Sequence, residues 1–266
     1  MKNIYFLSDA HLGSRAIPHA RQQERRLVRF LDEIKDKAST VYLLGDIFDF
    51  WYEYRNVVPK GYTRLLGKIS ELTDMGVENI ITFDAHDSRV QNATPLSGFE
   101  TVQPAYQFIK ALLNHVDGLQ IDNEHFLIVS PDEGSMNRAV YLANVLGVNM
   151  GMYYKRLDYT TLDQNGHHPV AAHEFLGPKL HGQDVILIDD MISSGDTVIN
   201  TAAMLKERGA GKIFICCTFG HFTNGLEKFD KAYEEGLFDK VLTTNLIYQT
   251  PELLQKPWYI SCDMSK

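Results

Sequence analysis

The sequence predicts an α/β fold: a parallel sheet with helices on both faces. Three observations carry this. Short apolar runs alternate with longer amphipathic stretches along the chain, which is the pattern of repeated strand–helix units. Several apolar runs end in an acidic residue (Asp9, Asp46, Asp84, Asp132 and the pair Asp189-Asp190), and the carboxyl ends of parallel strands are where such folds place their chemistry. The run Val185–Ile188 leads through Asp189-Asp190 into Ser193-Ser194-Gly195-Asp196-Thr197, which reads as a strand, a tight loop of small residues and a helix start.

Taken in order, Ile4–Leu7 is a strand and His19–Lys37 a charged amphipathic helix. Val41–Leu44 is a strand ending in Gly45-Asp46, Tyr62–Met75 a helix, and Asn79–Phe83 a strand ending in Asp84. Ser88–Gln103 is polar and interrupted by Pro and Gly, and reads as a long loop or linker. Ala105–Val116 is a helix, Phe126–Val129 a strand, Gly134–Leu146 a helix and Met150–Tyr154 a strand. Gln164–Gly182, rich in His and Pro, reads as irregular or hairpin-like. Val185–Ile188, Lys212–Thr218, Lys240–Thr243 and Trp258–Ile260 are the remaining strands, with a helix over Thr197–Arg208.

The chain has 266 residues, 44% hydrophobic and 23% charged, as expected of one large or two modest globular domains. A net charge of −8 argues against broad nucleic-acid binding, but leaves room for a phosphate site built from backbone amides and a few local cations. Cys216 and Cys217 sit together in an apolar run and read as core residues, which fits a reducing compartment. The N-terminus lacks the pattern of a signal peptide, and no apolar run approaches the ~20 residues of a membrane helix, so a cytoplasmic protein without a transmembrane segment is expected.

The loop Ser193–Thr197 carries the sharpest signal. Small residues let backbone amides close around a phosphate, the helix start adds partial positive charge, and the hydroxyls of Ser193, Ser194 and Thr197 donate further hydrogen bonds. Asp189 and Asp190 just upstream suit vicinal sugar hydroxyls. A plain capped helix would need the serines and threonine but not the apolar run or the acid pair.

These residues resemble the ribose-5-phosphate motif of the phosphoribosyltransferase fold. Together with ITFDAHDSRVQN (Ile81–Asn92), VSPDEGSMNRA (Val129–Ala139) and MYYKRLDY (Met152–Tyr159), they resemble the ribose-phosphate pyrophosphokinases over about Gly76 to Lys266. The resemblance implies transfer of a diphosphoryl group from Mg-ATP to the 1-hydroxyl of ribose 5-phosphate. It implies that Ser193, Ser194, Gly195, Asp196 and Thr197 cradle the 5-phosphate and that Asp189 and Asp190 bind the ribose. It places Asp132 at the Mg2+ and diphosphate site, His86 in the metal–ATP region, and Lys155 and Arg156 at the charge developing on the transferred phosphates. Read alone, Lys155-Arg156 would be a solvated pair and Asp84-Ala85-His86-Asp87 a turn. The chain departs from the family pattern at Leu157, where a second arginine is usual, and at Ser193, often an aspartate. Only the tail of the family's first domain, which supplies much of its ATP site, is recognisable, and a closing helix is expected beyond Lys266. The family associates through both domains, so a homo-oligomer is implied.

Residues 1–78 resemble another family. Asp9-x-His11 and Gly45-Asp46-x-x-Asp49 each close a strand with metal-ligand types. SDAHLG and LLGDIFDFWYEY resemble the calcineurin-like metallophosphoesterases, and among them the UDP-2,3-diacylglucosamine diphosphatases. That resemblance implies metal, with Mn2+ at Asp9, His11 and Asp46, and a hydrolase as the alternative activity. Its Gly-Asn-His-Asp element would fall on Asp84-Ala85-His86-Asp87, where Ala85 replaces the metal-bridging Asn. Gly220-His221-Phe222-Thr223 imitates its last element only in part. The expected division is thus 1–78, a phosphoesterase-like segment; 79–104, the tail of a kinase-family first domain and linker; and 105–266, a ribose-5-phosphate-binding domain. A non-catalytic binding or assembly protein is the third reading.

Overall fold

The computed structural model describes residues 3–7, 10, 12, 19–43, 47, 63–74, 79–86, 98–157 and 170–265. The chain divides into two compact units, Met1–Gln103 and Pro104–Lys266.

In the first unit, strand β1 (Asn3–Leu7) pairs in parallel with β2 (Ala38–Leu43) across helix α1 (Ala20–Ile34). Helix α2 (Thr63–Asp74) follows, and β3 (Asn79–Phe83) pairs in parallel with β4 (Gly98–Val102). Leu31 and Ile34 of α1 share a buried cluster with Val41 of β2 and Leu65, Ile69 and Leu72 of α2, as the 3.6-residue spacing of an amphipathic helix requires. Lys68 of α2 bridges Asp32 of α1, at 2.6 Å, and Glu71 on its own helix. The expected loop over Ser88–Gln103 is corrected at its end: Gly98–Val102 is a strand.

In the second unit, the elements are α3 (Ala105–His115), β5 (Phe126–Ser130), α4 (Met136–Leu146), β6 (Asn149–Leu157), β7 (Val170–Leu176), β8 (Asp184–Ile192), α5 (Asp196–Glu207), β9 (Ile213–Gly220), α6 (Glu227–Glu234), β10 (Lys240–Thr244), α7 (Pro251–Leu254) and β11 (Tyr259–Cys262). They build a seven-stranded sheet in the order β11-β10-β9-β8-β5-β6-β7. All neighbours are parallel except β6 and β7. The His- and Pro-rich stretch therefore contributes an antiparallel edge strand, in line with its hairpin-like reading.

The sheet is covered on both faces, and strand parity shows it. Val185 and Leu187 of β8 join Ile213 and Ile215 of β9 in one core with Val198, Ala202 and Leu205 of α5 and Phe229 and Ala232 of α6. Ile186 and Ile188 join Phe214 and Cys216 in the other, with Phe108 and Leu112 of α3 and Ala139 and Leu142 of α4. Burial on both faces explains the continuous apolar runs of β5, β8 and β9, because neither face of such a strand meets water. Cys216 and Cys217 are fully buried, one in each core, and burial pushes both thiols well above their ordinary range.

Candidate functional site

The chain runs from β5 outward to β6 and β7, then returns to the other side of β5 as β8. The strand order thus reverses between β5 and β8, and a crevice at the carboxyl ends of these two strands follows from their diverging connections. The helix after β5 covers one face and the helix after β8 the other. Two loops flank the crevice: Pro131–Ser135 after β5 and Ser193–Gly195 after β8.

Asp189 and Asp190 lie near the carboxyl end of strand β8 and are buried, at 9% and 6% exposure. Asp189 Oδ1 accepts hydrogen bonds from the Ser135 hydroxyl and, at 2.9 Å, from the Asp190 amide. Asp190 faces Arg138, whose guanidinium nitrogen is 3.6 Å from Asp190 Oδ2; this arginine is itself buried and also reaches the Gly134 carbonyl at 3.5 Å. In the loop after β5, Asp132 Oδ1 accepts from the amides of Gly134 (2.9 Å) and Ser135 (3.3 Å), and Ser130 Oγ donates to the Asp132 carbonyl at 2.6 Å. Burial, first, and the charge of Asp190, second, push the Asp189 carboxyl up to about 7; Asp132 adds to the rise and Ser135 opposes it. Among the described residues, the buried Arg138 guanidinium faces Asp190, and Asp132 adds negative charge near Asp189.

The loop after β8 is held from below and from the side. Gly195 has φ 83°, and a side chain there would place its Cβ 2.5 Å from Phe229 Cζ. Glycine is required on both counts, the left-handed backbone and the ring beneath it. Phe229 stacks on Trp258 at 5.5 Å between ring centroids and meets the edge of Phe222 at 5.1 Å, so the floor is a packed aromatic cluster. From the end of β9, the amides of His221 and Phe222 donate to the Ile192 carbonyl (2.9 and 3.2 Å), and Thr223 donates to the Ser193 carbonyl (3.0 Å). Ser193 Oγ lies 3.3 Å from Thr223 Oγ1. Gly195 is the N-cap of α5 and has no side chain to cap that end; the first helical amide, that of Asp196, donates to Ser194 Oγ at 3.4 Å. A helix start leaves its first amides without intrahelical acceptors, so this end is disposed to an anion. The Lys228 ammonium donates to Asp196 Oδ1 at 2.7 Å and holds that carboxyl below its usual range.

The structure brings Asp132 and Asp189 close enough to influence one another, with Asp190 on the same strand and Ser193–Thr197 at its end. Lys155 and Arg156 lie on β6, which neighbours β5, where their backbones pair with His173 and Ala172 of β7. His86 follows β3 in the first unit and is exposed. Asp9, His11, Asp46 and Asp49 lie outside the described residues. Among the described residues no group of three or more His, Cys, Asp or Glu forms a self-sufficient metal cage. Lys228 and Phe229 are not singled out in the sequence, and Ser135, Arg138 and Thr223 fall within the stretches Val129–Ala139 and Gly220–Thr223 without a role of their own. Ser135 and Arg138 had a signal, since they stand three apart at the start of a helix that follows an acid-tipped strand.

An open, mostly parallel sheet with an anion-disposed helix start and an acid pair at its switch point defines the class of α/β proteins that bind ligands at the carboxyl ends of their strands. The chain belongs to the phosphoribosyl transferase domain family, whose model matches residues 99–255. Among curated relatives, a ribose-phosphate pyrophosphokinase of Pasteurella multocida is 31% identical over 68% of this chain and 53% of its own length. Ribose-phosphate pyrophosphokinase 5 of Schizosaccharomyces pombe is 32% identical over 66% of this chain and 46% of its own length. A UDP-2,3-diacylglucosamine hydrolase of Porphyromonas gingivalis is 52% identical over 84 residues, 32% of each chain. This chain thus spans about half the length of those pyrophosphokinases and a third of that hydrolase. The crystal structure of phosphoribosylpyrophosphate synthetase from Mycobacterium smegmatis shares the fold, with a TM-score of 0.69 and 18% identity over 99% of this chain and 78% of that one.

Proposed function

We propose that the second unit binds ribose 5-phosphate and takes part in ribose-phosphate diphosphokinase chemistry, with ATP as co-substrate. The observation that carries this reading is the β8–α5 connection: a helix start with a glycine N-cap over an aromatic floor, shortly after two buried carboxylates. The loop Ser193–Thr197 would hold the 5-phosphate through amides and hydroxyls, and Asp189 and Asp190 would accept from the ribose hydroxyls. In the reaction, the sugar 1-hydroxyl oxygen bonds to the β-phosphorus of ATP, the bond from that phosphorus to the α-bridging oxygen breaks, AMP leaves, and the hydroxyl proton is lost. Lys155 and Arg156 would balance the charge developing on the transferred phosphates.

The donors near the switch point fit magnesium. They are hard carboxylate oxygens, and magnesium is commonly held by one or two carboxylates together with substrate phosphates, so a complete protein cage is not needed. Asp132 and the Asp189–Asp190 pair would hold it, and it would supply Lewis-acid neutralisation of phosphate charge. The raised Asp189 carboxyl supports this, because a bound cation would relieve its repulsion with Asp190 and Asp132. His86 is assigned to the metal–ATP region on the resemblance.

The test is AMP formation from ATP and ribose 5-phosphate with Mg2+, alongside calorimetric titration with ribose 5-phosphate. Turnover with binding supports the enzyme. Binding without turnover at high protein concentration leaves a binding or assembly protein, and absence of both rejects the reading. Analytical ultracentrifugation tests the implied homo-oligomer, which a single monomeric species would contradict.

The 52% identity of the N-terminal segment to the hydrolase favours a second, separate reading: metal-dependent phosphoester hydrolysis at Asp9, His11 and Asp46, with Mn2+. Manganese-dependent cleavage of a generic phosphodiester that Asp46→Ala abolishes would support it, and calorimetry showing no metal uptake would dispose of it.

A further inference from the structure

The phosphate loop contains an anion of its own. Asp196 is the first residue of α5, and its carboxylate lies among donors that suit a phosphate. Asp196 Oδ2 accepts from Ser194 Oγ at 2.8 Å, and Oδ1 accepts from Lys228 Nζ at 2.7 Å. Both charged side chains are about half exposed, Asp196 at 57% and Lys228 at 50%. Their backbones are nonetheless fixed beside one another. Phe229, next in the chain to Lys228, is fully buried directly under Gly195, next in the chain to Asp196. The lysine thus has an anchored stem and a solvent-facing head that can reach the loop.

We propose that Asp196 is an internal occupant of the phosphate cradle, and that Lys228 is a cationic ligand of the 5-phosphate which Asp196 holds until the substrate arrives. This rests on the ribose 5-phosphate reading above. Three physical points support it. An exposed ion pair contributes little to stability, so exchanging its carboxylate for another anion is cheap. A phosphate carries up to two charges and three acceptor oxygens, so it competes well for the Ser194 hydroxyl and the Lys228 ammonium. A carboxylate left in place would repel the incoming phosphate, so its removal from the cradle and the capture of Lys228 are a single exchange. The net effect is selectivity: a weakly charged ligand gains too little to displace Asp196, whereas a sugar phosphate gains enough.

The experiment titrates the full chain, with Mg2+ present, with ribose 5-phosphate and separately with inorganic phosphate. It compares the unaltered protein with Asp196→Asn, Lys228→Met, Lys228→Arg and the double variant Asp196→Asn/Lys228→Met. Asp196→Asn keeps the side-chain shape and an acceptor for Ser194, and is expected to bind both ligands about 3- to 10-fold tighter. Lys228→Met is expected to bind about 3- to 10-fold more weakly, Lys228→Arg to recover most of that loss, and the double variant to lose the gain of Asp196→Asn. Thermal melting of each variant identifies misfolding, and Asp196→Ser replaces Asp196→Asn if the latter does not fold. Equal or weaker binding by a folded Asp196→Asn overturns the proposal, as does unaltered binding by Lys228→Met. If the unaltered protein binds ribose 5-phosphate while these variants match it, only this exchange is wrong. If the unaltered protein binds neither ligand, the underlying reading fails with it.

Discussion

Asp189 shows most plainly what the site asks of single residues. Its folded carboxyl sits at about 7 against an ordinary 3.8, because burial and Asp190 disfavour its charge. A carboxylate whose folded pKa is raised binds its proton more tightly when folded, so the protein loses stability as pH rises from about 4 to about 7 and does not regain it above. Asp189→Asn keeps an acceptor for Ser135 and Asp190 but removes that penalty. We expect it to raise stability at pH 8 by on the order of 2 kcal/mol, measured by urea unfolding, with no gain at pH 3. The same variant should lose ribose 5-phosphate binding, and binding by the unaltered protein should strengthen as pH passes upward through about 7. A variant that is neither stabilised nor impaired would contradict the assigned burial and role together. Asp132, Asp189, Asp190 and the loop are legible in the sequence, because strand ends and small-residue loops carry local patterns. Arg138, Thr223, Lys228 and Phe229 act on the site from other elements, and no local pattern shows those contacts. Arg138 meets Asp190 only because α4 and β8 pack together, 52 positions apart in the chain.

At the scale of elements, the aromatic floor should be the most sensitive support of the loop. Phe229 is fully buried in contact with Phe222, Phe238 and Trp258 and lies under Gly195. Phe229→Ala is expected to cost about 3–5 kcal/mol of unfolding free energy. Phe229→Leu should cost less but still weaken phosphate binding, because the loop would lose the flat surface that fixes its path. Calorimetry and denaturant titration on the same samples separate the two effects; retained affinity in Phe229→Leu would mean that the loop holds itself. The elements were legible where the apolar pattern was strong. β5, β8 and β9 announce themselves because both faces are buried. β4 did not, since its residues are mostly exposed and follow a polar stretch. α6 buries only Phe229 and Ala232, too short an apolar stripe to stand out among its charges, and α7 is a single turn.

At the scale of the whole molecule, both cores that hold the sheet lie within Pro104–Lys266. A fragment of those residues should therefore fold alone, give a single cooperative unfolding transition and keep the phosphate-dependent binding of the full chain. A fragment that is soluble but binds at least tenfold more weakly would show that the first unit contributes to the ribose 5-phosphate site. Among the described residues no helix is long and apolar enough to cross a membrane. The likeness of the two segments to different proteins was legible at this scale because each carries its own strand-end motifs, whereas the placement of Asp9, His11 and Asp46 lies outside the described residues. The most direct measurement is calorimetric titration of the full chain with ribose 5-phosphate in the presence of Mg2+, repeated with unphosphorylated ribose and with Asp189→Asn. Saturable one-site binding of ribose 5-phosphate, at least tenfold weaker binding of ribose, and loss of binding in the variant are expected. Equal binding of ribose and ribose 5-phosphate, or binding that survives Asp189→Asn unchanged, would contradict the ribose 5-phosphate reading.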